Sequence, residues 1–153
     1  MTPAITNLRA RVSACRGVLV DSNILIDVAT NDPVWCMWSV DILAEIAKYS
    51  TLIINPIIYA EVSSNYATIE EMDAAFPASV YDRGQLPWEA GFLAGKCFLK
   101  YLRRGGLKSS PLPDFYIGAH AEVGGLALLT RDAARYRSYF PAVEILAPTH
   151  RGT

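Results

Sequence analysis

Four short apolar runs mark the chain: Val18-Leu19-Val20, the LIIN of 52–55, the LALLT of 126–130 and the VEIL of 143–146. Runs that are apolar without alternation predict strands buried on both faces, as in a parallel sheet. Between them the apolar positions change to helical spacing. A short helix follows Asp21, with Asn23 as its cap and Ile24, Leu25, Val28 and Ala29 on it. Asn31-Asp32-Pro33 is a turn. Trp35, Trp38, Ile42, Leu43 and Ile46 predict an amphipathic helix over 34–49. Pro56 suits the first turn of a helix carrying Ile57, Ile58, Tyr59, Glu61 and Val62. Thr68 and Glu71 stand at capping-box spacing for a helix over 68–76. A longer helix spans 87–102, amphipathic through Trp88, Phe92, Cys97 or Phe98, and Tyr101. The segment RRGGLKSSPLP (103–113) is a basic connection, after which Asp114 opens a helix closed by Gly124-Gly125. Strands alternating with helices predict an α/β sandwich with a mostly parallel sheet.

Composition narrows the class. At 153 residues, 52 % hydrophobic and 19 % charged, the chain has the length and apolar content for one domain with a real core. No apolar run approaches the roughly 18 residues of a membrane span. The first residues carry Arg9, Arg11 and Arg16 and no apolar core, unlike a secretory signal. Cys15, Cys36 and Cys97 form an odd set without CxxC spacing, which points to reduced thiols, a cytoplasmic setting and no zinc site. The expected organisation is an N-terminal arm or disordered extension at 1–17, one domain over 18–148 and a tail at 149–153. A net charge of −1 gives no basic excess of the kind nucleic-acid binders show, so any such role must rest on where charges lie.

The chemistry starts from VLVDSNILIDV, residues 18–28, where a buried strand ends on a carboxylate. An ionised carboxyl buried without a partner is costly. In parallel sheets ligands gather beyond the carboxyl ends of the strands, and Asp21 and Thr130-Arg131-Asp132 lie at two such ends. Glu61 and Asp114, in helices, can reach the same crevice. Two carboxylates about 5 Å apart repel by roughly 3 kcal/mol at an effective dielectric near 20. Four together either take up protons or hold a cation. An all-oxygen set without His or Cys suits hard ions, Mg²⁺ or Mn²⁺, which bind phosphate oxygens and activate water. That is the chemistry of phosphodiester hydrolysis.

These residues carry a resemblance. VLVDSNILIDV, the Glu of NPIIYAEV, and PDFYIGAHAEVGGLALLTRDAARY followed by FPAVEILAP resemble the PIN-domain ribonucleases, and within them the VapC-type toxins of toxin–antitoxin pairs. The similarity runs over about residues 18 to 148. It implies a PIN-like three-layer α/β/α sandwich with four to five strands in a mostly parallel sheet. It also implies an Mg²⁺- or Mn²⁺-dependent endoribonuclease that leaves a 5′-phosphate and a 3′-hydroxyl, a homodimer, and an antitoxin partner. Asp21, Glu61, Asp114 and Asp132 match the acidic quartet that binds metal and catalyses, Asp132 as a ligand directly or through water. Asn23 and Thr130 match the auxiliary polar positions.

The remaining polar residues divide by context. Arg103, Arg104 and Lys108 before Asp114, and Arg131, Arg135 and Arg137 beside Asp132, are candidates to grip RNA phosphates around the acids. Asp27 and Glu122 read as solvated helix acids, and His120 as structural. Trp35, Trp38 and the helix over 87–102 read as core, with leftover apolar faces for a second copy or an antitoxin. Two rival functions differ in class. A strand-end Asp nucleophile of the haloacid-dehalogenase phosphatases expects a second Asp where Asn23 stands. A catalytically silent PIN-like scaffold that binds RNA or protein typically lacks one or more of the acids, and all four are present here.

Overall fold

The computed structural model describes residues 5–109 and 112–149. Five short strands form one sheet, all parallel: β1 (Val18–Val20), β2 (Leu52–Ile54), β3 (Tyr81–Arg83), β4 (Ala127–Leu129) and β5 (Ile145–Leu146), in the order β3-β2-β1-β4-β5. Val18 pairs with Leu52 on one side and Ala127 on the other, so β1 is the central strand. Every residue of β1 and β4 is fully buried, which requires helices over both faces of the sheet. The expected three-layer α/β/α sandwich is thus observed.

Parallel neighbours need helical crossovers. α2 (Ser22–Ala29) and α3 (Cys36–Ala47) join β1 to β2, and α4 (Pro56–Ser63) and α5 (Ile69–Ala75) join β2 to β3. α6 (Trp88–Arg103) and α7 (Pro113–Gly124) carry the chain back past β1 to β4, and α8 (Ala134–Tyr139) leads to β5. The chain therefore moves outward from β1 in one direction, then resumes on the other side of it. This reversal puts a topological switch between β1 and β4, the place where parallel sheets form a crevice beyond their carboxyl ends.

Local signals explain most of these elements. Asn55 caps α4 by accepting the Ile58 amide at 2.9 Å, with Pro56 in the first turn. Thr68 accepts the Glu71 amide at 3.1 Å, while the Glu71 carboxylate reaches the amide of Ala67 rather than that of Thr68. Gly125 ends α7 in the left-handed region, φ 64°, where glycine carries no Cβ penalty. Gly118 lies where any Cβ would stand 2.3 Å from the ring of Phe140, so glycine lets α7 close onto α8.

Three features differ from the sequence reading, and one, the N-terminal segment, it left open. β3, Tyr81-Asp82-Arg83, is an edge strand with two exposed charges and lacks the apolar run that marks the others. The cap of α2 is Asp21, whose side chain accepts the Ser22 amide, and Asn23 lies inside the first turn. The described part of the N-terminal segment includes a helix, α1 (Leu8–Ser13), with Val12 fully buried. Arg11 anchors it to β5 through an ion pair with Glu144 and a 2.7 Å bond to the Ile145 carbonyl. Trp88 and Phe92 on α6 face solvent, at 94 % and 70 % exposure, while Ala90, Ala94 and Cys97 pack inward. No helix among the described residues is long and apolar enough to cross a membrane.

Candidate functional site

Asp21 occupies the mouth of the switch point. Its amide bonds the Leu129 carbonyl at 2.9 Å, continuing the β1–β4 ladder, and the chain then turns into α2. Its carboxylate is 4 % exposed. Oδ1 accepts the Ser22 amide at 2.8 Å. Oδ2 accepts the hydroxyls of Thr130 at 2.8 Å and Tyr136 at 3.1 Å, and the Asn23 amide nitrogen at 3.4 Å. Despite these donors, burial first and the Asp114 charge after it push its pKa up to about 6.

Thr130 ends β4, fully buried, and its hydroxyl is saturated. It donates to Asp21 and accepts from Asn23 Nδ2 at 3.2 Å and the Asp132 amide at 3.1 Å. Asn23 Oδ1 accepts the Arg131 amide at 3.2 Å, so one side chain ties α2 to the loop after β4. Asn23 thus lies against Asp21, and Thr130, expected before the last acid, meets Asp21 through its hydroxyl and Asp132 through that residue's amide.

Glu61, on α4, is half-buried, and desolvation raises its pKa, with the Asp21 and Asp114 charges adding to it. A hydrogen bond from Ser22 opposes the rise. Its Oε1 is buried with no hydrogen-bond partner, the one such side-chain atom among the described residues. Asp114, at the start of α7, is partly exposed and accepts Arg135 Nη1 at 3.3 Å. The fold therefore brings Asp21, Glu61 and Asp114 within electrostatic reach of one another. Asp132 is exposed and meets the network through its backbone amide. Its residue also lines a neighbouring cavity of about 510 Å³ with Trp35, Trp38 and Arg137. Among the described residues, no three His, Cys, Asp or Glu side chains are placed to hold a metal ion as they stand.

Asp21, Glu61 and Asp114 supply carboxylate oxygens of the chemistry a hard divalent cation takes, the orphaned Glu61 Oε1 among them, although as placed they do not close around one. The basic candidates separate. Arg103 and Lys108 are exposed. Arg104 donates to the Ser138 hydroxyl at 3.0 Å and covers the Tyr139 ring, and Arg135 leans on Asp114. Arg131 is already engaged. It makes a two-pronged ion pair with Asp27, 2.6 and 2.8 Å, and lies over the Trp35 ring. Asp27, expected as a solvated helix acid, is 2 % exposed and also takes the Ser39 hydroxyl at 2.9 Å. Its burial follows from Arg131, two residues beyond the end of β4, which no local pattern could pair with it. His120 is buried and structural, as expected. Its Nδ1 accepts Asn55 Nδ2 at 3.0 Å, and burial lowers its pKa, so it is a neutral support for the residue that caps α4.

Two site residues escaped the sequence reading. Ser22 reads as an ordinary first-turn serine. Tyr136 reads as the apolar position of a short helix, and only its place four residues after Asp132 hints that it turns back toward the crevice.

Chains in three solved structures share the fold at low identity. Against VapBC2 of Rickettsia felis bound to a promoter DNA fragment, the TM-score is 0.66 at 18 % identity, over 86 % of this chain and 98 % of that one. Against VapBC-1 of nontypeable Haemophilus influenzae it is 0.64 at 18 %, over 85 % and 96 %. Against a toxin–antitoxin complex of Klebsiella pneumoniae it is 0.60 at 21 %, over 88 % and 99 %. The sequence matches no curated protein. It does match the family described as PIN domain, over residues 18–140, which holds all four acids and most of the fold, and the chain belongs to that family.

Proposed function

We propose that this protein is a metal-dependent endoribonuclease, acting as the toxin of a toxin–antitoxin pair. The observation that carries the reading is the crevice at the β1–β4 switch point, where Asp21, Glu61 and Asp114 repel one another and Glu61 Oε1 lacks a partner. Asp21, Glu61 and Asp114 would hold Mg²⁺ or Mn²⁺, and Asp132 would contribute through water. When bound, the ion supplies a polarised water and charge stabilisation at the scissile phosphate. The chain's own part is orientation. Thr130 and Asn23 fix Asp21, and Asn55 with His120 fixes the start of the helix that bears Glu61. Arg103, Arg104, Lys108 and Arg135 are the cations proposed to hold RNA phosphates on either side of the cut.

The partners follow from the same kinship, since the structural relatives include toxin–antitoxin complexes. Exposed apolar faces are available for them, Met37 and Val40 on α3 with Val34 just before it, and Trp88, Phe92 and Leu99 on α6. These two faces are the candidates for a homodimer contact and an antitoxin contact. Sedimentation velocity of wild type and Phe92→Lys tests the α6 face as the dimer contact. A dimer that survives the charge would place the interface elsewhere.

The function itself is tested by incubating total RNA with antitoxin-free wild type and Asp21→Asn, in Mg²⁺, Mn²⁺ or EDTA. Discrete fragments with 5′-phosphate ends, seen only with wild type and metal, are expected. No cleavage in either metal by a folded protein would leave the silent scaffold as the better reading.

A further inference from the structure

We propose that Tyr136 is a positioning residue of the acidic crevice, holding Asp21 by Oδ2 so that Oδ1 is the oxygen offered to a divalent cation. The proposal rests on the metal-site reading above and deepens it.

The two oxygens of Asp21 are unequally occupied. A carboxylate oxygen has two lone-pair directions. Oδ2 already receives Thr130 at 2.8 Å and Tyr136 at 3.1 Å, with Asn23 at 3.4 Å beyond them. Oδ1 receives the Ser22 amide at 2.8 Å and, at 3.5 Å, a marginal approach of the Ser22 hydroxyl. The protein thus fills Oδ2 and leaves room at Oδ1. Tyr136 is suited to this because it can act only as a donor there. Its hydroxyl stands 3.1 Å from Oδ2, and a carboxylate oxygen can only accept from it. The residue is 1 % exposed, so the hydroxyl has no solvent alternative and the ring little freedom to swing away.

A tyrosine that merely filled the core would need a partner for its hydroxyl, but that partner would not have to be the most buried acid of the site. Here the phenol reaches Asp21 and also has the Asp114 carboxylate as a neighbour. Thr130 and Tyr136 approach Oδ2 from β4's end and from α8, so the carboxylate is gripped from two elements. Partners of this kind, one shell out from a metal, orient the ligand, and their loss typically costs about 10–100-fold in metal affinity or activity.

Tyr136→Phe removes one oxygen and keeps the ring. Mn²⁺ binding to wild type and variant is measured by electron paramagnetic resonance of the free ion, beside the melting temperature in EDTA and cleavage of RNA. The expected result is a variant that melts within a few degrees of wild type in EDTA and binds Mn²⁺ at least tenfold more weakly. Its cleavage at subsaturating Mn²⁺ falls in step and recovers partly as Mn²⁺ is raised. A folded variant whose Mn²⁺ affinity stays within twofold of wild type overturns the proposal and leaves the metal site standing. A variant that no longer folds in EDTA also overturns it, because the hydroxyl would then support the fold rather than the ligand. Wild type that binds no Mn²⁺ overturns both the proposal and the metal-site reading.

Discussion

Asp21 shows how much one residue can be asked to do. It ends a strand, caps a helix through the Ser22 amide, and presents a carboxylate beside two others. Its pKa rises from the ordinary 3.8 to about 6 because the charged form is desolvated and repelled by Asp114. A raised carboxyl pKa means that the folded state holds the proton more tightly than the unfolded chain. The resulting stability is present below pH 4, is lost as pH climbs through 6, and is absent above that. At 1.36 kcal/mol for each pKa unit the loss is on the order of 3 kcal/mol. In EDTA, the stability of wild type relative to Asp21→Asn should therefore fall between pH 4 and pH 7, leaving the variant the more stable near neutrality. Thermal melts of both proteins across that range measure it. Parallel profiles would mean that Asp21 is not held in a protonated state in the folded protein.

At the scale of elements, the Asp27–Arg131 pair does for the fold what Thr130 does for the site. It joins α2 to the loop after β4, while the same Asp27 carboxylate receives Ser39 from α3 and the Trp35 ring covers the guanidinium. Removing one partner of a buried pair strands a charge, at about 3–5 kcal/mol. Arg131→Ala should lose roughly that much stability by urea denaturation. Arg131→Met combined with Asp27→Leu should recover most of it, since apolar replacements of similar volume are tolerated where lone charges are not. Equal loss in the single and double variants would show that the pair's charges are not the source of its stability. Arg131 was thus legible as a cation near the acids, but its partner 104 residues away was not. The short α1 was illegible for a related reason, since its docking depends on Arg11 reaching Glu144 across the whole chain.

For the molecule as a whole, strand order decides where chemistry can occur. β1 and β4 are adjacent although 106 residues separate their last and first members, and that adjacency alone brings Asp21 to Thr130. A crevice of repelling acids costs stability that a bound cation returns. At a concentration 100-fold above its dissociation constant, a ligand that binds only the folded state adds about 2.7 kcal/mol. Mg²⁺ or Mn²⁺ should raise the wild-type melting temperature in a concentration-dependent way. The variant lacking Asp21, Glu61, Asp114 and Asp132 should melt at one temperature whatever the metal. A shift of the same size in both would locate the cation effect outside the crevice.

The sequence by itself determined the layered α/β class, four of the five strands, most helix starts and the acids at strand ends and helix starts. These are local facts, carried by apolar runs, caps and turn residues within a few positions. It did not determine β3, because an edge strand with exposed Asp82 and Arg83 has no need of an apolar run. Nor did it determine that Asp27 is buried, that Trp88 and Phe92 are exposed, or that Tyr136 turns its hydroxyl onto Asp21. Those depend on which distant segment packs opposite, and side-chain burial and hydrogen bonding are settled only when the tertiary structure supplies that neighbour.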